Sequence, residues 1–153
     1  MKLQNKKTAL VYAVDLLSKR GYSTQQLITK LKRKEYSAEE IQEAIERLIN
    51  RHYLDDTDLC QRQYEAYLAE QRRGLKAIKY KLSEKGFSKE DISLAEENLD
   101  IDILDFEYNV CLRLLYSHYN LNTAEKLKCQ AYLYRKGFNS SAIRLAIEDF
   151  FQK

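Results

Sequence analysis

The chain is 153 residues long and contains no proline, no tryptophan and only four glycines, a composition that suits helices joined by short turns and excludes sheets and long loops. No apolar run approaches the roughly 20 residues of a membrane span, and residues 1–7 lack the apolar core of a secretion signal, so a cytoplasmic protein is expected. The net charge of +3 conceals blocks of alternating sign: residues 1–36 carry nine basic and two acidic side chains, 37–71 three and nine, 72–89 seven and one, 90–109 none and eight, and 110–153 seven and three.

The apolar spacing predicts helices over residues 8–20, 24–35 and 38–50. Their stripes are Ala9, Ala13 and Leu17, then Leu27 and Leu31, then Ile41, Ala44 and Leu48. Ser23 with Gln26 and Ser37 with Glu40 have the spacing of capping boxes. In the run Arg51-His52-Tyr53-Leu54-Asp55-Asp56, the two acids read as caps of the next helix rather than as a carboxylate pair for metal or acid–base chemistry. The next helix carries Cys60, Tyr64 and Leu68 and breaks at Gln71-Arg72-Arg73-Gly74, where Gly74 marks a helix start or lets a backbone come close to a partner, the start being favoured.

Leu82, Lys85-Gly86-Phe87 and Ser88 then form a helix end, a turn and a new cap, followed by Ile92, Ala95 and Leu99 on one face. Residues 90–107 are strongly acidic but keep helical spacing, with a break expected near residues 100–102. The last third runs through Cys111, Leu115 and Tyr119, a turn near residues 118–122 with an Asn122–Glu125 cap, then Cys129 and Leu133. Lys136-Gly137-Phe138-Asn139 repeats the earlier turn, and Ile143, Ala146, Phe150 and Phe151 close the chain.

These elements repeat with a period of 51 residues: Leu31, Leu82 and Leu133 align, as do Ile41, Ile92 and Ile143, and Ala44, Ala95 and Ala146. A fixed period of this size indicates a repeat architecture. The expected fold is all-α, with three tandem three-helix repeats over residues 1–56, 57–104 and 105–153 stacked into an elongated, curved array. A unit of this size buries only a marginal core alone and needs its neighbours. Glu35 stands where the other two copies have glycine, so the first turn is expected to be strained or built differently.

The middle helix of each copy is basic. The candidate partner-binding residues are Lys30, Arg33 and Lys34, then Arg72, Arg73, Lys79, Lys81 and Lys85, then Tyr132, Arg135 and Lys136. They read either as solvated faces balancing the acidic third helices or as a strip that meets an acidic protein surface or nucleic acid. Lys32, Lys76 and Lys128 fall at different phases of the repeat, so one face does not hold them all. Tyr12, Tyr36, Tyr64 and Tyr119 fall on apolar positions, whereas Tyr80, Tyr132 and Tyr134 lie beside the basic residues.

The three cysteines occupy positions that are apolar in another copy and read as core. His52 and His118 are isolated. The chain lacks a phosphate-binding glycine loop, a Cys/His ligand cluster and a nucleophile with a base, so no catalytic residue, metal or cofactor is expected and an enzyme is rejected.

The chain resembles the RecX regulatory family from about Ala9 to Phe150. The resemblance rests on the opening helix from Ala9 to Leu17 and on Tyr53-Leu54-Asp55-Asp56. It rests further on Arg73-Gly74 with Leu82, Lys85-Gly86 and Ile92, and on Lys136-Gly137-Phe138 with Ile143 and Ala146. Glu35 and the run Lys19-Arg20-Gly21-Tyr22-Ser23 depart from the family's pattern. The resemblance implies a modulator, usually an inhibitor, of the RecA recombinase that binds the RecA filament on single-stranded DNA. Direct contact with single- or double-stranded DNA is the alternative, and a monomer is expected.

Overall fold

The computed structural model describes residues 7–152, and all of its regular elements are helices. They are α1 (Ala9–Lys19), α2 (Thr24–Arg33), α3 (Ala38–Asn50), α4 (Asp56–Glu70), α5 (Leu75–Glu84), α6 (Lys89–Glu97), α7 (Ile103–His118), α8 (Lys126–Arg135) and α9 (Ser140–Phe151). The stretch read against a secretion signal lies, except for Lys7, outside the described residues, as does Lys153.

Side-chain caps define most of the helix starts. Thr8 accepts from the Val11 N–H at 3.2 Å. Ser23 accepts from the Gln26 N–H at 3.1 Å while Gln26 Oε1 accepts from the Ser23 N–H at 3.0 Å, a reciprocal box that satisfies two orphan donors. Ser37 and Glu40 do the same at 3.1 and 2.8 Å. Ser88 and Asn139 cap α6 and α9 through the Asp91 and Ala142 N–H groups at 3.0 and 2.9 Å.

The three turns are built alike. The N–H groups of Tyr36, Phe87 and Phe138 donate to the carbonyls of Leu31, Leu82 and Leu133 at 3.3, 3.3 and 3.4 Å. The residue before each aromatic has positive φ: +65° at Glu35, +93° at Gly86 and +89° at Gly137. This is the six-to-one helix ending that a left-handed residue permits. Leu31, Leu82 and Leu133 are wholly buried, as are Leu27, Ile78 and Cys129 one turn earlier. Glu35 thus adopts the glycine conformation without being glycine.

The chain divides into two compact units. The first holds the residues through Arg62 together with Leu82–Ala95. In it α1, α2 and α3 close around Ala13, Leu27, Leu31, Ile41, Ala44 and Leu48. The second holds Gln63–Lys81 and the residues from Glu96 onward. In it α7, α8 and α9 enclose Val110, Leu115, Leu133, Phe138, Ala146 and Phe150.

Two details differ from expectation. Leu99 lies beyond the end of α6 and is half-buried rather than continuing its face. Asn98, Asp100 and Asp102 favour local backbone bonds over helix and end it early. The Asn122–Glu125 cap does not form, because α8 starts at Lys126 and Glu125 makes no side-chain cap. Asn120 organises that turn instead: its side chain accepts from the Asn122 N–H at 2.9 Å, and its carbonyl accepts from the Ala124 N–H at 2.8 Å.

Candidate functional site

In the first unit, the amino end of α2 is fastened to the turn between α5 and α6. The Ser23 side chain is fully buried, and besides capping α2 its hydroxyl donates to the Lys85 carbonyl. Asp56 Oδ1 accepts from the Thr24 N–H at 2.9 Å and from the Thr24 hydroxyl at 3.1 Å. Burial raises the Asp56 carboxyl above its ordinary value, while the bonds from Thr24 pull it down and the charges of Asp91 and Asp55 push it up. Gly86 completes the joint: a Cβ there would lie 2.5 Å from the Gln25 Cβ. The neighbouring acid, Asp55, caps α4 through the Asp58 N–H at 3.1 Å, so both aspartates serve helix ends.

This joint brings Lys30, Arg33 and Lys85 to one groove of about 380 Å³, with Arg20 on its rim and Glu84 as the single acid in its lining. The Arg20 guanidinium lies 4.4 Å from the centre of the Tyr22 ring, and its Nε donates to the Gly21 carbonyl at 3.4 Å, two contacts that hold it in place. Gln25 and Thr29 add neutral hydrogen-bonding groups to the wall. Four cations around one concavity concentrate an anionic partner and draw it in from a distance.

The other sequence-predicted residues are dispersed. Lys34 lies over the Tyr12 ring at 5.5 Å. In the second unit, Arg73 pairs with Glu70 at 2.6 Å, holds that carboxyl below its ordinary value, and lies 5.4 Å from the Tyr67 ring centre. Lys81 adds a weaker pull on Glu70. Lys79 pairs with Glu96 at 2.9 Å. Arg72 is exposed. Tyr132 is half-buried and stacked on His118 with ring centres 4.4 Å apart, and the Lys136 ammonium lies over the Tyr132 ring, 5.7 Å from its centre. Arg135 is exposed on the outer side of α8.

Sequence reasoning missed Glu107, the buried carboxylate of the second unit, which is 1% exposed. Its Oε2 accepts from the Leu75 N–H at 2.8 Å, and its Oε1 accepts from the Asn139 N–H at 3.1 Å and from the Asn139 side-chain amide. One carboxylate therefore serves the amino ends of both α5 and α9, where the helix dipoles favour negative charge. Beside it the Gly74 N–H donates to the Lys136 carbonyl at 2.8 Å, and the Lys76 N–H to the Gly137 carbonyl at 3.2 Å. A Cβ at Gly74 would lie 2.4 Å from the Gly137 oxygen. The helix-start reading of Gly74 holds, since it immediately precedes α5; the close approach it permits is to this chain's own backbone at Gly137.

The matching positions are 51 residues apart: Ser23 and Gly74, Thr24 and Leu75, Asp56 and Glu107, Lys85 and Lys136. That period is the signal that identifies Glu107. The three cysteines are fully buried, and burial pushes the thiols of Cys60, Cys111 and Cys129 up, Cys60 to about 11. No described helix is long and apolar enough to cross a membrane.

Comparison with known proteins places this architecture. The family profile described as RecX, first three-helix domain, matches residues 9–48. The regulatory protein RecX of Actinobacillus pleuropneumoniae serotype 5b (strain L20) is 41% identical over 95 residues; the match covers 62% of this chain and 62% of that relative's length. The regulatory protein RecX of Trichlorobacter lovleyi (strain ATCC BAA-1151 / DSM 17278 / SZ) is 32% identical over 145 residues, which cover 89% of this chain and 91% of the relative. The crystal structure of RecX from Lactobacillus salivarius superposes with a TM-score of 0.77 over 95% of this chain and 96% of that one, at 22% identity, a likeness in fold. With a relative above 30% identity across nearly its whole length, the chain belongs to the RecX family of regulatory proteins.

Proposed function

We propose that this protein regulates the RecA recombinase by binding the filament that RecA forms on single-stranded DNA and lowering its strand exchange and ATP hydrolysis. Membership of a family of regulatory proteins supports the class of function. The observation that carries the binding mode is the groove lined by Arg20, Lys30, Arg33 and Lys85. Its cations suit an acidic protein surface or the phosphates of the filament's DNA, and its role is binding rather than chemistry. In this reading residues 1–56, 57–104 and 105–153 act as three modules of a cytoplasmic monomer. Docking of this kind weakens as salt screens it.

The same groove supports a second reading, direct binding to DNA without a recombinase, because guanidinium and ammonium groups accept phosphate whatever else is present. One experiment separates the two. The single-stranded-DNA-dependent ATPase of the cognate RecA is titrated with the protein, and bare-DNA binding is measured in the same buffer. Inhibition at concentrations too low to coat the DNA, weakened by Arg33→Glu with Lys85→Glu, is the expected result. An unchanged ATPase with bare-DNA binding intact overturns the proposal and leaves the second reading.

A further inference from the structure

The α8 helix has two apolar faces. Cys129 and Leu133 point into the core and are fully buried. Leu127, Ala131 and Tyr134, spaced by four and three residues, form an outward stripe, with Leu127 78% and Tyr134 71% exposed. Alongside α9 this stripe walls a groove of about 480 Å³ that has Ile143 in its lining and the exposed guanidinium groups of Arg135 and Arg144 beside it. No acidic side chain lines the groove. Neither arginine takes part in an ion pair among the described residues.

The other two copies of the repeat treat the same positions differently. In the first, the corresponding groove is smaller, about 280 Å³, and Lys32 and Glu46 both line it. In the second, the positions matching Gln130 and Ile147 are Lys79 and Glu96, which pair with each other at 2.9 Å. An acid-free, arginine-flanked apolar groove belongs to the third copy.

We infer that the α8–α9 groove docks an acidic segment of a partner protein, with one apolar side chain of that segment inserted between Leu127, Tyr134 and Ile143 and its carboxylates on Arg135 and Arg144. Charge complementarity decides the occupant: two guanidinium groups outside any ion pair select carboxylates, and Leu127, Ala131 and Ile143 give an apolar side chain its seat between them. A large exposed aromatic beside arginine is the composition of an interface anchor. The inference rests on the reading above in taking the RecA filament as the partner that carries the segment.

The test uses the full chain and the filament of the cognate RecA on single-stranded DNA. Two variants probe the groove independently: Leu127→Asp with Tyr134→Asp, and Arg135→Glu with Arg144→Glu. All four side chains are exposed, and circular dichroism checks that helicity is kept. The expected result is a loss of filament affinity of about tenfold or more in each variant, with bare single-stranded-DNA affinity unchanged. If the unaltered protein binds the filament and both variants bind it equally well, the groove inference is overturned and the proposed function stands. If the unaltered protein does not bind the filament, the proposed function falls and takes this occupant with it. Parallel loss of bare-DNA affinity overturns the inference in favour of nucleic acid. A concentration-dependent self-association that the variants abolish, with filament binding retained, overturns it in favour of a second copy of the chain.

Discussion

The Leu75 N–H donates to Glu107 Oε2 at 2.8 Å, 32 residues away along the chain, and by this bond a carboxylate on α7 caps α5. The same carboxylate accepts from the Asn139 N–H, so it also serves the start of α9. Replacing Glu107 by alanine leaves buried N–H groups without partners and opens a void. The expected cost is roughly 2–6 kcal/mol, from about one to three for each of the two orphaned backbone donors. Glu107→Gln keeps the volume but only one acceptor oxygen, so its loss is smaller and still measurable. Urea denaturation of the two variants checks the order; equal stability of Glu107→Ala and the unaltered chain would sink the assignment.

Asp56 holds the matching place in the first unit, capping α2 through Thr24, and its carboxyl titrates above its ordinary value mainly because of burial. The folded protein therefore holds this proton more tightly than the unfolded chain. The stability linked to it is complete below the unfolded value and is lost as pH rises through the folded one. Asp56→Asn keeps an acceptor for the Thr24 N–H and removes the titration. The variant is expected to be at least as stable as the unaltered chain at pH 7, and its advantage is expected to shrink as the pH falls toward 4. Thermal melts of both proteins across that range measure the difference directly, and an advantage that grows on acidification contradicts the sign.

All three cysteines are fully buried with thiols raised by burial, Cys60 to about 11. A thiolate is the reactive form, and burial lowers its fraction at all three positions relative to the unfolded chain. A thiol-specific reagent is expected to leave the native chain unmodified over minutes and to titrate three groups in denaturant. Rapid labelling of one native cysteine would place that residue in a local opening rather than in a fixed core.

The repeat, the turns and most of the core were legible because they are written locally. Leu31, Leu82 and Leu133 recur at one period, and each is followed by a basic residue, a left-handed residue and an aromatic. The joints were not legible from local pattern. Glu107 lies at the end of an acidic run that composition reads as solvated, and its partners are 32 residues away on either side. Only mapping Asp56 onto it through the 51-residue period exposes the shared task. The basic groove was half legible. Lys30, Arg33 and Lys85 carry the right charge, but that Arg20 joins them shows only in the fold, which brings the start of α2 against the Lys85 turn. Charge pattern names candidates, and packing decides which of them meet.

The turn residues offer a test of why two are glycine and one is not. Gly86 and Gly137 have positive φ, and each is also crowded: an added Cβ would lie 2.5 Å from the Gln25 Cβ at the first and 2.5 Å from the Ala77 nitrogen at the second. Glu35 shares the backbone conformation but is exposed, so its side chain meets no such neighbour. Conformation alone costs a side chain about 1–2 kcal/mol in the left-handed region, and overpacking adds about 1–3 kcal/mol. Gly86→Ala and Gly137→Ala are therefore expected to destabilise by more than conformation explains, with Gly137→Ala the worse because a backbone atom blocks it. Glu35→Gly is expected to stabilise by up to about 1 kcal/mol, since it removes the conformational strain and vacates no packed contact. Urea melts of the three variants decide between the two causes. If Gly137→Ala costs no more than Glu35→Gly gains, conformation is the whole reason for the glycine and the close approach to Ala77 is incidental.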